Sequence, residues 1–256
     1  MKKKAIISTA ASLALAGVMC VGLVACGGGA GAAKSVKGAE ITEEAWNAAF
    51  SGDTFAETYA NFKLEVVIQT KASMSAGGKS QKATMTVSTT YVYAEQKSYV
   101  KATTKASASG DISKEEKEAL KALQGTVEYY VDESGDDTVF YAKDDDGKWT
   151  IDTSDEYDSA TETLMELVTE ELTSLNFAEY EYSTEYKGYV LKETPSETPG
   201  GMPTIVLKFD SEGKLKAVYA EYVRDISGEG ASQKTEVTMS YVMTYGGQSV
   251  TLPTVA

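Results

Sequence analysis

The side chains in this sequence that could do chemistry are carboxylates, serines, lysines and two cysteines, because histidine is absent from all 256 residues. Without imidazole there is no Ser-His or Cys-His nucleophile pair and no histidine-bearing zinc site. Two S-x-x-K spacings occur, Ser98-Lys101 and Ser211-Lys214. That spacing serves catalysis when a helix start places the lysine beneath the hydroxyl. Here the first pair lies in an alternating strand pattern, where i and i+3 face opposite ways, and the second lies in a turn. Asp144-Asp145-Asp146-Gly147 has the glycine of a calcium loop, but that register puts Ala142 at position one and Thr153 at position twelve, where carboxylates are needed. The run from Asp132 to Asp137 fails the same test. With 38 acids, carboxylate pairs at the ~5–9 Å of a glycosidase arise by chance and single out no residue. Gly246-Gly247 is followed by a strand-like stretch, not the helix a phosphate loop requires. These readings assign no catalytic residue, no metal ligand and no cofactor, and a non-enzymatic protein is expected.

The cysteines carry the more specific signal. Met1-Lys2-Lys3-Lys4 is a basic start, followed by a short run of apolar and small residues that reaches Leu23, Val24, Ala25 and Cys26, then Gly27-Gly28-Gly29. A charged flank at one end only is the pattern of a secretory leader. Leu23-Val24-Ala25-Cys26 resembles the lipobox of bacterial lipoproteins. The resemblance implies a signal peptide over residues 1–25 and a diacylglycerol on the Cys26 thiol. It further implies a membrane partner reached through that anchor, on the extracytoplasmic face. The glycine run resembles the start of Gram-positive surface lipoproteins. Cys20 would leave with the leader and Cys26 would be alkylated, so no thiol would remain for other chemistry.

Residues 26–40 are rich in Gly, Ala and Ser and read as a flexible tether with a reach of roughly 20 Å. After Ala25 the chain keeps 21 of its 24 cations and all 38 acids, a side-chain charge of −17. With a single arginine, Arg224, it lacks the cationic footprint that nucleic-acid binding demands. The same charge is expected to hold the domain off an anionic surface.

The elements that would position any site are mostly strands. Phe62, Leu64, Val66 and Ile68 alternate with polar neighbours, as do Ala83, Met85, Val87, Thr89, Tyr91 and Tyr93. The pattern returns at 127–131, 139–142 and 149–151. It recurs in Ile205, Leu207 and Phe209, in Leu215, Ala217 and Tyr219, and in Val237, Met239, Tyr241, Met243 and Tyr245. Ser134-Gly135, Asp146-Gly147, Lys187-Gly188 and Glu212-Gly213 supply turns. About ten or eleven antiparallel strands in meandering order are predicted, forming one domain over residues 41–256. Helices are predicted near 43–50, from Ser113 with an S-x-x-E capping box, and over 159–175. In the last, Leu164, Leu167, Val168, Leu172 and Leu175 make an apolar stripe.

Sulfur and aromatic residues concentrate on the apolar strand positions. Met85, Tyr91, Tyr93, Tyr219, Met239, Tyr241, Met243 and Tyr245, together with Leu164, Leu167 and Val168 of the third helix, are the candidate lining of a cavity for an amphipathic ligand. The same residues would equally serve as core filler. A lipobox, a tether, a Trp/Phe-bearing first helix and a long antiparallel meander resemble LolA/LolB/LppX-type lipoproteins. The ending Met243-Thr244-Tyr245 … Val250-Thr251-Leu252-Pro253 and the hairpin Asp146-Gly147-Lys148-Trp149 are also similar to that group. The resemblance implies an α+β, mainly antiparallel fold: a curved half-barrel sheet with about three helices on its apolar concave side, several members holding lipid or acyl chains there. The alternative is an interaction lipoprotein with a solid core, binding a protein or glycan.

Overall fold

Period-two alternation over runs of up to 16 residues builds the sheet. The computed structural model describes residues 31–51, 58, 60–152, 175–192, 203–228 and 231–255. Its strands are β1 (Asn61–Ala76), β2 (Lys79–Ala94), β3 (Lys97–Gly110), β4 (Gly125–Asp132), β5 (Val139–Lys143), β6 (Trp149–Asp152), β7 (Tyr180–Ser183), β8 (Gly188–Leu191), β9 (Thr204–Phe209), β10 (Leu215–Gly228) and β11 (Ala231–Tyr245). They form one open 11-stranded sheet in the order β6-β5-β4-β3-β2-β1-β11-β10-β9-β8-β7, with every pairing antiparallel. Two meanders are thus joined edge to edge by β1 and β11, which pair without a break from Phe62↔Tyr245 to Ala76↔Ala231. This is the predicted architecture, an open, mainly antiparallel half-barrel sheet with few helices.

The faces follow from the register. Phe62, Leu64, Val66 and Ile68 share one face with their partners Tyr93, Tyr91, Thr89 and Val87 on β2, and with Tyr245, Met243, Tyr241 and Met239 on β11. This inner face holds the main core, which extends through Val100, Tyr129 and Phe140 on one side and Val218, Leu207 and Tyr189 on the other. Complete burial of each such side chain is worth about 1.5–3 kcal/mol.

Helix α2 (Glu43–Ala49) is capped by Thr42, whose side-chain oxygen accepts from the Ala45 amide at 3.2 Å. It drives Trp46, fully buried, into the inner face. Helix α3 (Lys114–Ala122) has the predicted reciprocal capping box. The Ser113 amide donates to Glu116 Oε2 at 2.8 Å and the Glu116 amide donates to Ser113 Oγ at 3.1 Å. It buries none of its residues, because Lys and Glu fill most of its turns and leave too narrow an apolar stripe to dock. The helix expected over 159–175 lies outside the described residues except for Leu175, which packs on the inner core.

The composition of residues 26–40 predicts a tether. From Gly31 onward the chain instead lies against the outer face of the sheet. Helix α1 (Gly31–Ser35) seats Ala33, fully buried, in a second core with Val206, Ala217 and Tyr219. The stretch is rich in small residues, and small residues are what a close backbone approach to a sheet needs.

A candidate ligand-binding face

Leu215, Ala217 and Tyr219 alternate in the sequence as if they shared a face, and the structure separates them. Leu215 pairs with Phe209, but Ala217 pairs with Lys208, so one extra residue, Lys216, is inserted in β10. A bulge of this kind reverses the facing of every later side chain on its strand. Leu215 stays in the inner core while Ala217 and Tyr219 go to the outer one. Tyr219 therefore leaves the predicted lining. Its hydroxyl donates to Glu221 Oε2 and its ring lies beneath Lys34 Nζ, 5.2 Å from the centroid.

Seven of the predicted residues do share the inner face. Tyr91, Met239, Tyr241 and Met243 are buried there, Tyr93 and Tyr245 are half-buried against them, and Met85 lies farther along β2 on the same face. Leu164, Leu167 and Val168 lie outside the described residues, as do Leu23, Val24, Ala25 and Cys26.

Several tyrosine hydroxyls on this face bind the protein itself. Tyr91 Oη is 3.2 Å from Ser98 Oγ, both groups buried. Tyr245 donates to the Leu215 carbonyl at 2.5 Å and lies 3.2 Å from Met243 Sδ. Burial pushes the Tyr91 hydroxyl well above the usual tyrosine range, the Ser98 hydrogen bond offsetting only part of this. The expectation that tyrosine hydroxyls would fix a headgroup thus loses these two, whose polar tips serve the fold.

Sequence reasoning missed two groups of residues. The first is the aromatic cage at the β7–β9 end of the inner face. Trp46 contacts Phe50, Phe177, Tyr180, Tyr189 and Phe209 at centroid separations of 5.0–5.5 Å, and its Nε1 donates to the Leu175 carbonyl at 3.2 Å. Tyr189 Oη accepts from the Ile41 amide at 2.8 Å and donates to the Ile41 carbonyl, so the chain leading into α2 is stitched to β8.

The second is Lys208, only 1 % exposed on the outer face. Its Nζ donates to the carbonyls of Lys34 (2.9 Å) and Val36 (2.7 Å). Burial, with the Lys187 and Lys34 charges nearby, holds its pKa below the usual lysine range. In Ile205-Val206-Leu207-Lys208-Phe209 the lysine reads as a solvent-facing residue. The one clue against that is Val206 beside it on the supposedly polar face.

The strap leading from α1 then runs along β9. The Ala33 amide donates to Ser240 Oγ at 3.0 Å, Gly38 to the Lys187 carbonyl at 2.9 Å and Ala39 to the Phe209 carbonyl at 2.8 Å. Gly38 allows this approach, since a Cβ there would sit 2.7 Å from the Lys187 oxygen. Gly38→Ala should therefore release the strap while sparing the sheet. Hydrogen exchange at the Gly38 and Ala39 amides should accelerate about tenfold or more, with an unchanged rate for central β1 amides. Equal protection in the variant would contradict this.

No family model matches the chain, and no curated protein does either. Among solved structures, the chain is similar to lipovitellin, from a study of its lipid–protein interactions, with TM-score 0.29 and 10 % identity over 76 % of this chain and 26 % of that chain. It thus spans about a quarter of the lipovitellin chain. It is also similar to a DUF1329 family protein from Desulfovibrio piger, with TM-score 0.22 and 14 % identity over 81 % of this chain and 95 % of that chain. Likeness at these scores assigns no function.

Proposed function

We propose that this protein is a non-enzymatic lipoprotein, anchored through a diacylglycerol on Cys26 to the outer side of a cell membrane, that holds an amphipathic, lipid-like ligand on the inner face of its sheet. The observation that carries the reading is the concentration of Tyr91, Tyr93, Met239, Tyr241, Met243 and Tyr245 on one face of β2 and β11, the two strands that flank β1. Methionine adapts to irregular apolar shapes and tyrosine joins an apolar ring to a polar tip. A ligand's acyl chains would leave water for that surface. The LolA/LolB/LppX-type resemblance points the same way. The second reading, a solid-core interaction protein, is favoured by the near-complete burial of Tyr91 (1 % exposed) and Met239 (3 %).

Native mass spectrometry of the protein extracted from bacterial membranes separates the two. Under the carrier reading, a lipid-sized mass accompanies the protein in addition to the covalent increment on Cys26, and organic extraction recovers it. A protein that carries only the Cys26 increment, even after incubation with mixed lipids, is the solid-core protein. Cys26→Ser should abolish the covalent increment in either case.

A further inference from the structure

The five long strands extend past the core. Beyond Ile68, Val87, Thr104, Ala220 and Val237, no described residue of β1, β2, β3, β10 or β11 is buried. The result is a single-layer blade about seven residues, or roughly 23 Å, long, with both faces in water. Nothing in core packing explains its side chains.

Its charge is opposite to that of the rest of the molecule. The blade's strands carry Lys71, Lys79, Lys82, Lys105, Arg224 and Lys234 against Glu221, Asp225 and Glu236, the last paired with Lys71 and Lys234. Asp111, just past β3, adds a carboxylate at the tip that accepts from the Ser80 amide. The remaining chain after Ala25 has 15 cations against 35 acids. Glu229, between β10 and β11 in the sequence, lies outside the described residues, and α3 beside β3 balances three lysines with three glutamates. Three of the six exposed large hydrophobic residues among those described are also here: Met74 (48 % exposed), Val223 (41 %) and Ile226 (46 %). Met74 and Ile226 flank Gln233 in one cross-strand row near the tip, on the inner side with Lys79 and Arg224. Lys71, Lys82, Lys105 and Lys234 are on the outer side, so only the tip of the blade presents both sets together.

The strap sets the direction of the N-terminus. Ala39 bonds to Phe209, which pairs with Leu215 at the start of β10, whereas Lys34 lies 3.9 Å from Glu221, six residues further toward the tip. Followed backwards from Ala39 to Gly31, the chain therefore heads for the blade. Cys26 is five residues before Gly31, a span of at most about 18 Å.

We infer that the blade is a membrane-docking surface, its lysines and arginine meeting the phosphates of an anionic bilayer while Met74 and Ile226 enter the interface. This rests on the anchoring part of the function proposed above and replaces the expectation that net charge repels the domain. Local charge governs contact, because charges farther from the leaflet than the Debye length of about 8 Å are largely screened, and each lysine near an anionic leaflet adds attraction. The geometry commits the blade to the bilayer that the anchor itself enters.

The test uses the protein extracted from membranes, with its intact mass recorded first and a fluorophore then placed at Ser75→Cys on the tip or at Glu212→Cys in the turn at the far end. After reconstitution into vesicles with phosphatidylglycerol, a nitroxide on the lipid headgroup should quench the Ser75 probe about fivefold more than the Glu212 probe. The difference should vanish in about 0.5 M salt and in the triple variant Lys71→Glu, Lys82→Glu, Lys234→Glu. Equal quenching at both ends, or a difference indifferent to salt, overturns the inference. So does shielding of Ser75 by dimerisation without vesicles, which would assign the blade to a second copy. An unmodified Cys26 in the mass spectrum would mean that the anchoring reading has failed. The blade is then judged by flotation of the same chain with these vesicles: flotation about tenfold weaker in the triple variant supports docking, and no flotation of the native chain overturns it.

Discussion

Trp46→Ala should lower the unfolding free energy by about 4 kcal/mol, read as a fall in the urea midpoint at an unchanged denaturant slope. The size reflects the neighbours. Five aromatic rings surround the fully buried indole within 5.5 Å, all in tilted or edge-on arrangements, and besides Phe50 they are Phe177, Tyr180, Tyr189 and Phe209. Those four partners come from the strands and the 3-10 turn (Phe177–Glu179) at one end of the sheet, so they cannot collapse together without moving β7, β8 and β9. Alanine would leave a cavity and free the Leu175 carbonyl. Trp46→Phe, which keeps a ring and loses the donor, should cost about half as much. A loss below about 1 kcal/mol for alanine would mean that the cage closes around the gap and that α2 does not hold this end of the sheet.

The urea midpoint should not fall between neutral pH and about pH 10 and should then fall steeply toward pH 12. Tyr180, 5 % exposed, is pushed up to about 12 by burial and then by the Glu179 charge, and Tyr91 is pushed higher still by burial. A tyrosine in the unfolded chain loses its proton near pH 10, while these two keep theirs when folded. Above pH 10 the folded state binds more protons than the unfolded one, so stability falls as pH rises. The stabilisation is fully present below pH 10 and is lost on the way to the folded pKa. For Tyr180 alone the two-unit shift corresponds to roughly 2–3 kcal/mol. Lys208 works in the opposite sense. Its lowered pKa makes the folded state release its proton first, so it adds stability with rising pH below about 10.5. Tyr91→Phe retains the ring and removes the ionisation, and should visibly flatten the alkaline limb. A native-protein midpoint that holds constant to pH 12 would contradict the burial of both hydroxyls.

Much of the inner face was legible because its period is two and unbroken. Phe62 to Ile68 and Val237 to Tyr245 read directly as strands, and the register between them comes from matching two long alternating runs. The capping box at Ser113 was legible for a similar reason, since both partners lie within one turn. Tyr219 was not. A single inserted residue at Lys216 leaves the apolar alternation of Leu215, Ala217 and Tyr219 intact while reversing which way the later two point. Only the pairing with Lys208 on β9 reveals it.

What the sequence determined by itself was local and periodic: the strands, two of the helices, the turns, the absence of imidazole chemistry and the likeness of Leu23 to Cys26 to a lipobox. Contacts between segments far apart in the chain were decided by the tertiary structure. A glycine- and alanine-rich stretch became a docked strap because Lys208, some 170 residues away, offers its amine to two strap carbonyls. Six scattered cations became one blade, with Lys71, Lys82, Lys105 and Lys234 on its outer side and Lys79 and Arg224 on its inner side, because β1, β2, β3, β10 and β11 stand side by side beyond the core. Alternation records which side of its own strand a residue occupies. Which strands stand next to each other, and what covers them, depends on free energy gained only when distant parts of the chain meet.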